Sequence, residues 1–134
     1  MRGDVWSQVA EMALALPEVT EGVRHGARTW FVAGKGFAWE CGYSKADVKR
    51  AEEAGESLPP PPNLAIDVGD LEEKEALLAA HAGDGFFTIP HFDRYPMLLI
   101  DLRRAPKRAV RDALTDAWLG KAPPSLAQVH SLGT

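Results

Sequence analysis

Apolar residues recur along this chain with two different periods, and the period assigns the elements. Val5, Trp6, Val9, Met12, Ala13 and Leu16 fall at helical spacing behind Asp4, a capping residue type, until Pro17 ends the run. This predicts a first helix. A turn-like stretch follows. Residues 29–33 and 37–41 are then rich in aromatic and β-branched types on either side of Gly34-Lys35-Gly36, the pattern of a hairpin with a three-residue glycine loop. Ser44-Lys45-Ala46-Asp47 forms a capping box with Asp in the usual Glu place and opens a short, mostly solvated helix to about Ala54. From Gly55 through the proline run at 59–62 the chain can neither continue a helix nor fill a central strand, which predicts a stiff extended connection.

Beyond the prolines, Leu64, Ala65, Ile66, Asp67 and Val68 alternate as a half-buried strand does. Asp70 caps a third helix in which Leu71, Leu77 and Leu78 are expected to face inward, with Glu73 at the capping-box position and His81 near the end. Gly83-Asp84-Gly85 breaks it. A short strand at 85–89 and a longer one at 96–102 flank a bend, His91-Phe92-Asp93-Arg94-Tyr95, framed by Pro90 and Pro96. From Pro106 a last long helix places Val110, Leu114, Ala117 and Trp118 on one face and ends near Gly120, with room for a helical turn from Ser125. Strands in adjacent pairs with short links predict an α+β fold, a mainly antiparallel sheet covered by helices on one side. The proline run is too short to separate two units, so residues 1–134 are read as a single domain.

Composition narrows the function classes. Hydrophobic residues make up 46% and charged residues 25% of the 134, the balance of a globular domain and not of a disordered or fibrous chain. The longest apolar run, Met97-Leu98-Leu99-Ile100, stops at Asp101, far short of the roughly 18 residues that span a bilayer. No membrane association is expected. With Cys41 as the only cysteine an internal disulfide is excluded, and no secretory pattern is visible at the start, so a cytoplasmic location is expected. The net charge of -4 removes any global attraction to phosphate, and nucleic-acid binding would have to rest on a local patch.

The sequence carries no recognisable catalytic motif. His25, His81, His91 and His130 fall in four different predicted elements without metal-ligand spacing, so neither a metal nor a cofactor is expected. Cys41 sits in a strand with no local base, and no Gly-x-Ser-x-Gly elbow occurs. Trp6, Trp30, Trp39 and Trp118 fall where periodicity also places the interior, which favours core packing over base stacking. Three local concentrations remain. Arg103, Arg104, Lys107, Arg108 and Arg111 crowd the end of a strand and the start of the last helix, and the final four would share a helical stripe. Cations at a helix start oppose its dipole, which raises the interest of the stripe above that of an ordinary solvated face. Arg24, His25 and Arg28 precede the hairpin, and His91, Asp93 and Arg94 share the proline-framed bend.

The string 15–22, Ala-Leu-Pro-Glu-Val-Thr-Glu-Gly, followed by Gly26, Thr29-Trp30-Phe31-Val32 and Gly34-Lys35-Gly36-Phe37-Ala38-Trp39, resembles the MmcQ/YjbR family. Ser44-Lys45-Ala46-Asp47, Leu71-Glu72-Glu73-Lys74, the run from Phe86 to Phe92, Pro96 and Ala117-Trp118 are similar to that family's later landmarks and come in its order. Gly42-Tyr43 stands where the family often has Arg-Pro. The resemblance implies a CyaY-like α+β fold with a double-wing arrangement of strands and loops. It implies DNA as the nominal partner and brings no catalytic residues with it.

Two readings follow. In the first, the domain binds DNA weakly and with salt dependence, Arg24, Arg28, Lys35, Lys45, Arg103, Arg104, Lys107, Arg108 and Arg111 meeting phosphates. In the alternative, it binds a small molecule or a protein in a pocket near His25, Trp39 and His91, with Asp93 and Arg94 beside it and the proline connection as its rim. An enzyme using His91 and Asp93 as an acid–base pair is the weakest reading, since residues two apart in extended chain face opposite ways.

Overall fold

In the computed structural model, which describes residues 4–132, the capping chemistry of the sequence is realised at three helix starts. Asp4 accepts the Ser7 N–H at 2.7 Å at the head of α1 (Val5–Leu14). Ser44 and Asp47 exchange side-chain and backbone bonds of 3.1 and 2.9 Å at the head of α2 (Lys45–Ala54), a complete capping box. Asp70 accepts the Glu73 N–H at 2.7 Å at the head of α3 (Leu71–Ala80). The remaining helices are α4 (Lys107–Lys121) and α5 (Pro124–Leu132).

Six strands, β1 (Val19–Arg24), β2 (Ala27–Val32), β3 (Lys35–Glu40), β4 (Asn63–Asp67), β5 (Phe86–Phe87) and β6 (Met97–Asp101), form one sheet in the order β1-β2-β3-β4-β6-β5. Every pairing is antiparallel. The α+β class is therefore the one expected from the alternating pattern. Register fixes the faces. Ile66, Leu98 and Ala38 line one side with Trp30, Leu64 and Ile100, and α1 and α4 cover it through Val9, Ala13, Val110, Leu114 and Trp118, all buried. Ala65 and Leu99 point to the other side, where Ile89, Leu58, Tyr43, Phe87 and Phe92 form a second, smaller core. Helices on one side alone were the expectation. The second face is also covered over β4, β6 and β5, because the proline connection and the bend at Pro90–Phe92, a 3-10 turn, fold back across it.

Several local expectations change. The turn-like stretch after Pro17 is β1, an edge strand whose Thr20, Glu21, Val23 and Arg24 are exposed, so no hydrophobic alternation announced it. Its Gly22 leaves room for the Phe31 ring, which lies 3.3 Å from where a Cβ would stand. The β2–β3 loop is the two-residue turn Ala33-Gly34, with φ of 53° and 77°, and Lys35 and Gly36 belong to β3. Two consecutive left-handed residues match the twist of the strands better than a three-residue loop does. His25-Gly26, with the same two φ values, joins β1 to β2. The strand expected at 85–89 shrinks to Phe86–Phe87, and Leu71, expected inward, is 48% exposed. Lys74 takes the buried place on α3, with its ammonium on the carbonyls of Phe92 and Tyr95. Arg104 lies in the turn before α4, whose N-cap is Pro106. A proline disfavours helical backbone in the residue ahead of it, here Ala105, so the helical stripe comprises Lys107, Arg108 and Arg111 without Arg104.

No helix among the described residues is long and apolar enough to cross a membrane.

Candidate functional site

The β6–α4 corner gathers the densest positive charge. Residues 103–111 hold five cations and no acid. The turn is rigid: the Asp101 carbonyl accepts from Arg104 and Ala105 at 3.0 and 2.9 Å, while its buried carboxylate accepts the Arg103 N–H at 3.1 Å and reaches the Arg103 guanidinium at 3.5 Å. Arg104 packs its Cβ 3.2 Å from where a Cβ on Gly85 would stand, and Gly85 sits at φ +85°, so the corner is built around a position that only glycine fills without strain. Arg104, Lys107, Arg108 and Arg111 are exposed and form no ion pair among the described residues. No side chain caps the first turn of α4, and that turn carries no acid. Glu11 of α1 shares a shallow groove with Lys107 and Arg111 without pairing to either.

The other predicted cations are distributed elsewhere. Arg28 pairs with Glu40 at 2.9 Å. Lys35 lies at the end of the sheet opposite Asp101, as the register Val32↔Lys35 and Asn63↔Asp101 requires. Lys45 is exposed on the first turn of α2. Arg24 lies on the second sheet face with its guanidinium 5.8 Å from the Phe31 ring centre and 5.6 Å from that of Trp39, packed on Gly36. Of the nine cations, the five at 103–111 lie together in the chain at the β6–α4 corner, and the other four are spread over β1, β2, β3 and α2.

His25 and His91 are not brought together either. His25 is exposed in the β1–β2 turn at one edge of the sheet, whereas His91 follows β5 at the other edge. His91 Nδ1 instead meets Asp47 Oδ1 at 3.1 Å, and its ring stacks on Phe92 at 4.7 Å. Trp39 is half-buried under Arg24, and Asp93 and Arg94 are exposed on the bend. The side chain of His130 lies outside the described residues.

Sequence reasoning did not single out the two buried ionic anchors, Asp47 and Lys74. Burial pushes the Asp47 carboxyl up, but the Ser44 N–H and hydroxyl and the nearby His91 outweigh it, and the net shift is down from the ordinary 3.8. Lys74 is shifted down, chiefly by burial, with Asp93 opposing. Burial, reinforced by the Asp47 carboxylate, pushes the Cys41 thiol up to about 11, so it stays protonated at neutral pH and lacks the thiolate a nucleophile needs. Among the described residues no cluster of three or more His, Cys, Asp or Glu side chains is placed to hold a metal ion.

The YjbR family model matches residues 14–119. Uncharacterised proteins of Mycobacterium bovis and Mycobacterium tuberculosis are 36% identical over 123 residues, 92% of this chain and 92% of each relative. No solved structure gives a significant match.

Proposed function

We propose that this chain, which belongs to the YjbR family, is a non-catalytic binding domain whose partner is duplex DNA, held by the β6–α4 corner through its phosphates. The observation that carries this reading is the set of four unpaired cations, Arg104, Lys107, Arg108 and Arg111, at an uncapped helix start. Cations in the first turn of α4 oppose the helix dipole, and that turn carries neither an acid nor a side-chain cap. A phosphate does offset them, because it meets both the side-chain charges and the free N–H groups of the first turn. The net charge of -4 does not contradict a local site, since α3 and its cap carry Asp70, Glu72, Glu73 and Glu75 against Lys74 alone. Such a charge separation orients the domain on approach to a polyanion.

The corner meets phosphates through its charges alone, so the binding is of the sequence-independent kind, with a dissociation constant of roughly 10⁻⁴ to 10⁻⁶ M at physiological salt. A fluorescence-anisotropy titration of labelled duplex DNA tests it. With about four phosphates neutralised, the logarithm of affinity should fall against the logarithm of salt with a slope of about -3.6. Undetectable binding at low salt, or an affinity indifferent to salt, contradicts the reading.

A further inference from the structure

A cleft of about 270 Å³ opens between α2, the proline connection and the segment after β5, away from the basic corner. Ala51, Leu58, Phe87 and Ile89 give it apolar walls, and Arg50 and Glu56 line it with opposite charges. Buried polar ties hold each wall. Asp47, 5% exposed, closes the capping box of α2 and reaches across to His91 at 3.1 Å, fixing the helix against the Pro90–Phe92 turn. The Tyr43 hydroxyl donates to the Pro59 carbonyl, and Asn63 Nδ2 donates to Tyr43 Oη at 2.9 Å and to Pro59 O at 3.1 Å, fixing the connection. Lys74, 4% exposed, holds the far side of the bend by the carbonyls of Phe92 and Tyr95. Walls anchored in this way keep their shape without an occupant, which spares a ligand the entropy of ordering them.

The charges define the occupant. Asp47 is already engaged, since its oxygens accept from the Ser44 N–H, from His91 and from Arg50. Arg50 gives it a single long bond of 3.4 Å from a half-exposed side chain, leaving most of the guanidinium donors open. Glu56 forms no ion pair among the described residues. One open cation and one open anion beside apolar walls match a small zwitterion with an apolar side chain. We propose that this cleft binds a free α-amino acid with a large apolar side chain, its carboxylate on Arg50, its ammonium on Glu56 and its side chain against Leu58, Phe87 and Ile89. A simple carboxylic acid would set its charge against Glu56, and a simple amine would leave Arg50 unmatched. The cleft volume lies just under the roughly 300 Å³ at which sites for drug-sized ligands begin, which suits a ligand of this size.

The test is an amide chemical-shift titration of the full chain with L-phenylalanine, and in parallel with 3-phenylpropanoate and 2-phenylethylamine, which each carry one of its two charges. The expected result is saturable shifts at Arg50, Glu56, Leu58 and residues 87–89 with phenylalanine, and binding about tenfold weaker for each analogue. Arg50→Ala and Glu56→Ala should each weaken phenylalanine binding about tenfold while the melting temperature stays within about 2 °C of the parent. The absence of saturable shifts at these residues up to about 10 mM phenylalanine overturns the proposal. So does an analogue that binds as tightly as phenylalanine, because it makes one of the two charges irrelevant. Loss of DNA affinity would leave these results unchanged.

Discussion

Replacing Trp118 with Ala should lower the stability of the domain by about 3–5 kcal/mol and its melting temperature by roughly 10–20 °C. The side chain is fully buried on the inner face of α4 among Val110, Leu114 and Ala117, and its Nε1 donates to the Pro17 carbonyl at 3.0 Å. It therefore joins the helix that carries the basic corner to the turn between α1 and β1. Truncation removes the ring contacts, opens a cavity and leaves a carbonyl without its donor, three losses that add in the same direction. The loss is a large part of the 5–15 kcal/mol that holds a typical domain together. Urea denaturation followed by circular dichroism measures it. A change below about 1 kcal/mol would mean that α4 is not anchored through this residue.

The second large effect is on binding. The quadruple variant Arg104→Ala, Lys107→Ala, Arg108→Ala, Arg111→Ala should flatten the salt slope from about -3.6 to about -1 or less and weaken duplex binding about a hundredfold in low salt. It should not unfold the protein. All four side chains are exposed, Ala is the best helix former, and two of the removed charges, Lys107 and Arg108, oppose the α4 dipole in its first turn, so the melting temperature is expected to stay level or rise. A variant in which Arg24 and Lys35 become Ala keeps the corner intact and should keep the slope. If the quadruple variant retains the parent slope, the phosphates meet another surface.

The sheet was legible where burial is one-sided or complete and illegible where it is neither. Leu64 and Ile66, like Leu98 and Ile100, fall two residues apart and announce β4 and β6 by the face they turn to the helices, while Ala65 and Leu99 between them fill the second core. β1 gave no such sign, since Glu21 stands between Val19 and Val23 on one face of the strand and Thr20, Gly22 and Arg24 occupy the other. The helix caps at Asp4, Ser44 and Asp70 were readable because capping is a contact of three residues' reach. The bond from Asp47 to His91 spans 44 residues, and the ties from Lys74 span 18 and 21, so none of these long-range ties leaves a local trace, although the place of Asp47 in the capping box does. The basic run of the corner was visible as composition. Its division from Arg24, Arg28 and Lys35 depends on strand register and sheet face, which local pattern does not encode.

The claim on which the functional account rests is that DNA meets the β6–α4 corner, and amide chemical-shift mapping of the labelled full chain with a short duplex tests it most directly. Shifts are expected to concentrate at residues 103–111 and to retreat as salt is added, with the β1–β2 and β2–β3 turns unmoved. Shifts centred on Arg24, Phe31 and Trp39, or a spectrum indifferent to the duplex, would contradict it.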